Sequence, residues 1–162
     1  MNVFFEETDD KSRKLVALAN EDFSDVIALA HAKMRKAGDE PMLTVQEAEE
    51  ALRQYYALAI IAPDMQQYGV SSEVDKYWHW HLLDTKTYHE MCGRVFGCFM
   101  HHKPLMPGDE VEFQRVRSVY EKSRAVLASH FDLNERAWPK LDGTQDEHLV
   151  VCLMYDDPAI AA

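Results

Sequence analysis

The sequence predicts an all-α protein: one helical-bundle-like domain, residues 1–162, with about four main helices and an irregular C-terminal arm over about residues 132–162. Three observations carry this expectation. Apolar residues recur at helical spacing through most of the chain, and capping residues and Gly or Pro stops bracket those runs. At 162 residues with 47% hydrophobic side chains, the chain can bury a core without covalent staples.

The elements follow in order. In "FSDVIALAHAKMRKAG", Phe23, Val26, Ile27, Ala30 and Met34 fall on one helical face, and Gly38 is a natural stop. "TVQEAEEALRQYYALAIIAP" opens with a capping box, Thr44 with Glu47, and closes at Pro63. The stretch "DMQQYGVSS" reads as a loop. Ser72 with Asp75 can then cap a third helix running over residues 73–99. "PGDEVEFQRVRSVYEKSRAVLASHF" is a fourth helix, with Asp109 and Glu110 beside the positive end of its dipole. Beyond it the signals weaken: two Pro, one Gly and a short β-branched run that reads as a strand or a buried tail.

Composition excludes several function classes. The formal net charge is −11 and no run of Lys or Arg forms a basic stripe, so nucleic acid is an unsuitable partner. That acidity suits a basic protein partner. Three cysteines, at 92, 98 and 152, make no disulfide framework, and the opening "MNVFFEETDDKSRK" does not read as a signal or transit peptide. No apolar run approaches the roughly 20 residues that span a bilayer. A reducing, cytoplasmic location and no membrane partner are expected. There is no glycine-rich phosphate loop, GxSxG elbow, HExxH, CxxC or Glu-x-x-His pair.

What stands out is "WHWHLLDTKTYHEMCGRVFGCFMHHKP", residues 78–104, which holds five of the eight histidines. On one helix at about 100° per residue, Lys76, Lys86, Glu90 and Arg94 mark the wet side. Val74, Tyr77, Trp78, Val95, Phe96 and Phe99 mark the core side. His81, Thr85, Tyr88 and Cys92 then line the middle of the core side, with Asp84 at its edge. A buried polar row needs partners. Either His81 joins Asp84 or Tyr88 in a hydrogen-bond network, or it binds a metal with Asp84 or Cys92 as co-ligand or orienting partner.

His79 falls on the wet side, one turn after Asp75, where an Asp–His hydrogen bond is the ordinary expectation. For His79 and His81 to share one ion the helix must unwind locally, as at a π-bulge. His101 and His102 precede Pro104, which places the helix end near them. One of the pair suits the negative end of the dipole, and the other can turn toward the core. His31, His89, His130 and His148 read as surface or boundary residues. Cys98 and Cys152 read as small buried hydrophobes. A Cys92–histidine nucleophile pair would lack substrate access on the core side.

The same stretch resembles the signature of the glycine-rich domain-containing protein-like family. The matching residues are Val74-Asp75, Trp78-His79, His81, Leu83-Asp84-Thr85, Tyr88, Cys92, Phe96-Gly97, His101-His102 and Pro104. The preceding helix, with Tyr55 and Pro63, is a weaker continuation, so the family-like core spans about residues 44–104. With six glycines in all, the chain lacks the glycine-rich tail that names the family, and Val70-Ser71 stands where Pro-Ser is expected. The resemblance implies a compact helical module and no particular reaction. It groups His79, His81, Asp84, Tyr88, Cys92, His101 and His102 as one constellation.

Three readings follow. In the first, His79, His81, His101 and His102 bind zinc, iron or copper, and Asp75, Asp84, Tyr88 or Cys92 orient the imidazoles or substitute as ligands. An open site of this kind admits a metalloenzyme acting on a small molecule or peptide. In the second, the same residues form a structural hydrogen-bond network inside a non-enzymatic interaction module. Haem bound through a histidine is a third reading, with no CxxCH motif behind it.

Overall fold

A computed structural model describes the backbone of residues 3–104, 108–142 and 150–156, and the side chains of 9–104 and 108–142. His148 and the side chain of Cys152 lie outside the described residues. Among those described, six α-helices and three strands follow one another. They are α1 (Val3–Ala19), α2 (Ser24–Lys36), α3 (Val45–Ile61), β1 (Gln67–Ser71), α4 (Ser72–Leu83), α5 (Thr85–Val95), β2 (Met100–Pro104), α6 (Glu110–Ala128) and β3 (Val150–Asp156). The protein is mostly helical, so the all-α expectation fits in outline, but short strands accompany the helices, which number more than four.

The helix boundaries show why. The Thr44 capping box forms as its sequence dictates: Glu47 N donates to Thr44 Oγ1 at 3.2 Å and Thr44 N donates to Glu47 Oε2 at 2.8 Å. Pro63 then begins a single 3-10 turn, Pro63–Met65, and Gln66 adopts a left-handed φ of 63° that turns the chain into β1. The cap of α4 is Ser71 rather than Ser72, its hydroxyl accepting from Val74 N at 3.1 Å. The continuous helix expected over 73–99 is two helices. Asp84 ends α4 and caps α5, accepting from Thr87 N at 3.4 Å, because a short acceptor side chain competes with the helix backbone for that donor. Asp84 and Thr85 are exposed, not in the core row.

The expected loop at Gln67–Ser71 and the expected helix end at His101-His102 are both strands. They do not pair with each other. The C-terminal β3 inserts between them, antiparallel to both, in the order β1-β3-β2. Helix α6 crosses β1 closely at Gly69, where a Cβ would come within 2.5 Å of Tyr120 Cα, so only glycine fits. Gly69 N also donates to Ser123 Oγ at 2.9 Å.

The core is aromatic. Tyr55, Tyr56, Tyr77, Trp78, Tyr120 and Trp138 have no accessible surface, and they are carried by α3, α4, α6 and the segment after α6. Their polar ends are satisfied: Tyr55 Oη donates to Tyr68 O at 3.0 Å and Trp138 Nε1 donates to Gln54 Oε1 at 2.9 Å. Among the described residues, no helix is long and apolar enough to cross a membrane.

Candidate metal centre

Helix α4 is regular through both histidines of the HxH pair, so His79 and His81 point to different sides and no bulge joins them. His81 is turned inward and 1% exposed. Tyr56 Oη lies 2.7 Å from its Nδ1, and the rings of Phe23, Tyr56 and Tyr88 pack around it at 5.1–5.8 Å. Burial pushes the imidazole pKa down to about 4 and the Tyr56 phenol well up. The hydrogen bond therefore joins a neutral phenol to a neutral imidazole.

The rest of the inward row is committed in the same way. Tyr88 Oη donates to Met100 O at 2.6 Å and lies 3.5 Å from Trp78 Nε1. Cys92 is 1% exposed, and burial raises its thiol pKa, which keeps it protonated and out of reach of a substrate. Tyr88 and Cys92 thus fasten the start of β2 to α5. His31, expected at the surface or boundary, is buried; its Nε2 meets Tyr77 Oη at 3.1 Å, and burial lowers its pKa. His89 and His130 are exposed as expected. Cys98 is half-buried, its Sγ 4.0 Å from Met100 Sδ.

The outward side of α4 carries a different group. Asp75 is 5% exposed although it stands in the first turn of the helix. One turn later, His79 Nδ1 lies 2.9 Å from Asp75 Oδ2 and 3.0 Å from Asp75 O. The carboxylate raises the His79 pKa through that hydrogen bond. Strand β2 lays His102 against the same place, its ring 4.6 Å from those of Trp78 and His79, and its Nε2 3.7 Å from Asp75 Oδ1. His102 Nε2 is buried and makes no hydrogen bond among the described residues.

Asp75, His79 and His102 each offer a ligand atom, all within 4.8 Å of one another. A strand turns successive side chains to opposite faces. His101 accordingly packs on Phe99, with ring centroids 4.9 Å apart, while His102 packs on Trp78. The structure brings together His79, His102 and Asp75; it does not bring His81 or His101 into that group. Asp84, Tyr88 and Cys92 also serve elsewhere.

The 3.7 Å separation is informative. It is too long for a hydrogen bond. At metal–ligand bonds of about 2.0–2.2 Å, two ligands in a tetrahedral or trigonal arrangement stand about 3.3–3.8 Å apart. One side of the group is open, since the His79 side chain is 47% exposed against 14% for His102 and 7% for Asp75. Sequence reasoning had no signal for Trp78 as the wall behind His102 or for Tyr56 as the partner of His81. Both depend on which element arrives opposite α4. A separate cleft of about 700 Å³, lined by residues that include Ile60, Tyr68, Phe96 and Met100, lies between α1, α3 and β1 and does not reach the group.

The sequence model of the UCP032817-like family matches residues 13–123. The match covers most of the chain and contains all three residues of the group, and the chain belongs to that family. No curated protein and no solved structure matches it.

Proposed function

We propose that this member of the UCP032817-like family is a metal-binding helical protein in which Asp75, His79 and His102 hold one transition-metal ion. The observation that carries the reading is the pair formed by His102 Nε2 and Asp75 Oδ1. These buried ligand-type atoms face each other across a gap suited to an ion and too wide for a hydrogen bond. Two imidazoles and a carboxylate suit zinc or ferrous iron, and copper is compatible with them. Asp75 Oδ2 additionally orients His79, as carboxylates do for metal-bound imidazoles.

The exposed flank of His79 leaves coordination positions to water or a substrate oxygen. That supports a metalloenzyme acting on a small molecule or peptide, in which the ion would polarise a bound oxygen. The same openness is compatible with a binding module and a basic protein partner, so the chemistry follows from the metal's identity. The alternative, a purely structural network, is favoured by the Asp75–His79 hydrogen bond and by the fully committed His81, Tyr88 and Cys92.

Calorimetric titration of the metal-free protein with zinc separates the two. The metal reading expects one site that His102→Ala abolishes and His101→Ala retains. No heat of binding, with the fold intact, would leave the network as the account.

A further inference from the structure

We infer that docking of the C-terminal strand β3 and metal binding are coupled, with β3 setting the spacing between the two elements that carry the ligands. This inference rests on the metal reading above and adds a means of regulating the site.

Asp75 and His79 ride on α4, which continues without a break from β1 at Ser71–Ser72. His102 rides on β2. Between β1 and β2 there is no pairing; each is hydrogen-bonded to β3. Met154 stands at the centre of this arrangement, opposite Tyr68 on one side and His102 on the other. The strand therefore holds the two ligand-bearing elements in register.

Other restraints on β2 lie toward its ends and at His101, whose ring packs on Phe99. Tyr88 holds Met100 O, and Lys103 Nζ reaches Glu112 at 3.5 Å through a half-exposed side chain. At His102 itself, the contacts among described side chains are with the rings of Trp78 and His79 and with Asp75. If β3 leaves, β2 loses its strand partner and His102 its fixed distance from α4. By reciprocity, an ion bridging α4 and β2 favours the docked strand by the same factor by which docking favours the ion. β3 also lies beyond the family match, which ends at residue 123. A partner that withdraws this strand would release the metal.

The experiment is amide hydrogen exchange on the full chain, with and without zinc, alongside calorimetry to establish that zinc binds. At zinc a hundred times above Kd, amides of residues 150–156 that exchange through undocking of the strand slow by about 100-fold. Amides in α3 that exchange only on global unfolding slow as well and serve as the internal reference. Zinc binding that slows α3 but leaves 150–156 unchanged overturns the coupling and leaves the metal site standing. An absence of zinc binding removes both. Independently, Met154→Pro, which deletes a donor in a central strand, lowers zinc affinity by about tenfold or more at unchanged helicity. Unchanged affinity in that variant would overturn the coupling. The exchange measurement needs no substitution, so it decides even where Met154→Pro fails to fold.

Discussion

His79 and His81 stand two residues apart on α4, and the helix turns them into different surroundings. His81 enters a dry aromatic pocket where Tyr56 satisfies it, and burial lowers its pKa to about 4. His79 stays half-exposed beside Asp75, which raises its pKa, and β2 brings His102 to meet it. The two histidines share a residue type and a helix, yet one is committed to the fold and the other is available to a ligand. What separates them is the element that arrives opposite: α3 with a phenol on one side, β2 with a second imidazole on the other.

This contrast can be broken by substitution. The largest effect is expected from His81→Ala, which removes a fully buried ring and strands the Tyr56 hydroxyl. Urea unfolding should show a loss of about 2–4 kcal/mol, with zinc uptake per folded chain unchanged. Loss of zinc binding in a folded His81→Ala protein would contradict the division of roles. Tyr56→Phe leaves His81 Nδ1 buried without its hydrogen-bond partner and should cost about 1–3 kcal/mol in the same assay. On the outer side, His79→Ala in metal-free protein should cost about 1 kcal/mol, because it takes a hydrogen-bond partner from the buried Asp75 carboxylate. It should nevertheless remove the thermal stabilisation that zinc gives the parent protein.

The smallest effect sharpens the inward half of the comparison. His31 is also buried and its pKa is lowered, first by desolvation, then by Arg35, with Glu73 opposing. Its hydrogen-bond partner Tyr77 stays a neutral phenol because burial raises its pKa. The sign follows from linkage. The unfolded chain protonates His31 near its ordinary value of 6.5 while the folded chain resists, so stability declines as pH falls below about 6.5. His31→Gln should flatten the dependence of unfolding free energy on pH between about 6.5 and 5. An unchanged slope would mean that His31 is not held neutral by the fold.

The amphipathic helices were legible because periodicity and caps are local: the Thr44 box and the Gly38 and Pro63 stops appear where the residues put them. The break at Asp84 was not legible, since a helix wheel drawn across residues 73–99 is self-consistent and the competing cap is worth little until α4 and α5 pack separately. Helix α1 lies outside the four helices that the sequence predicts. The strands were hidden for a different reason. "QYGVS" and "MHHKP" are five residues each and become strands only when β3, far along the chain, pairs with both. The site was half legible for the same reason. Asp75 and His79 are one turn apart and readable from spacing, whereas the choice of His102 over His101 depends on which face of β2 meets α4.

The most direct test is elemental mass spectrometry on untagged protein purified without chelator or added metal, comparing the parent with His102→Ala and His101→Ala. The account predicts about one equivalent of a single transition metal in the parent and in His101→Ala, and none in a folded His102→Ala protein. Metal-free parent protein that takes up none on titration would contradict it, as would loss of metal in His101→Ala with full retention in His102→Ala.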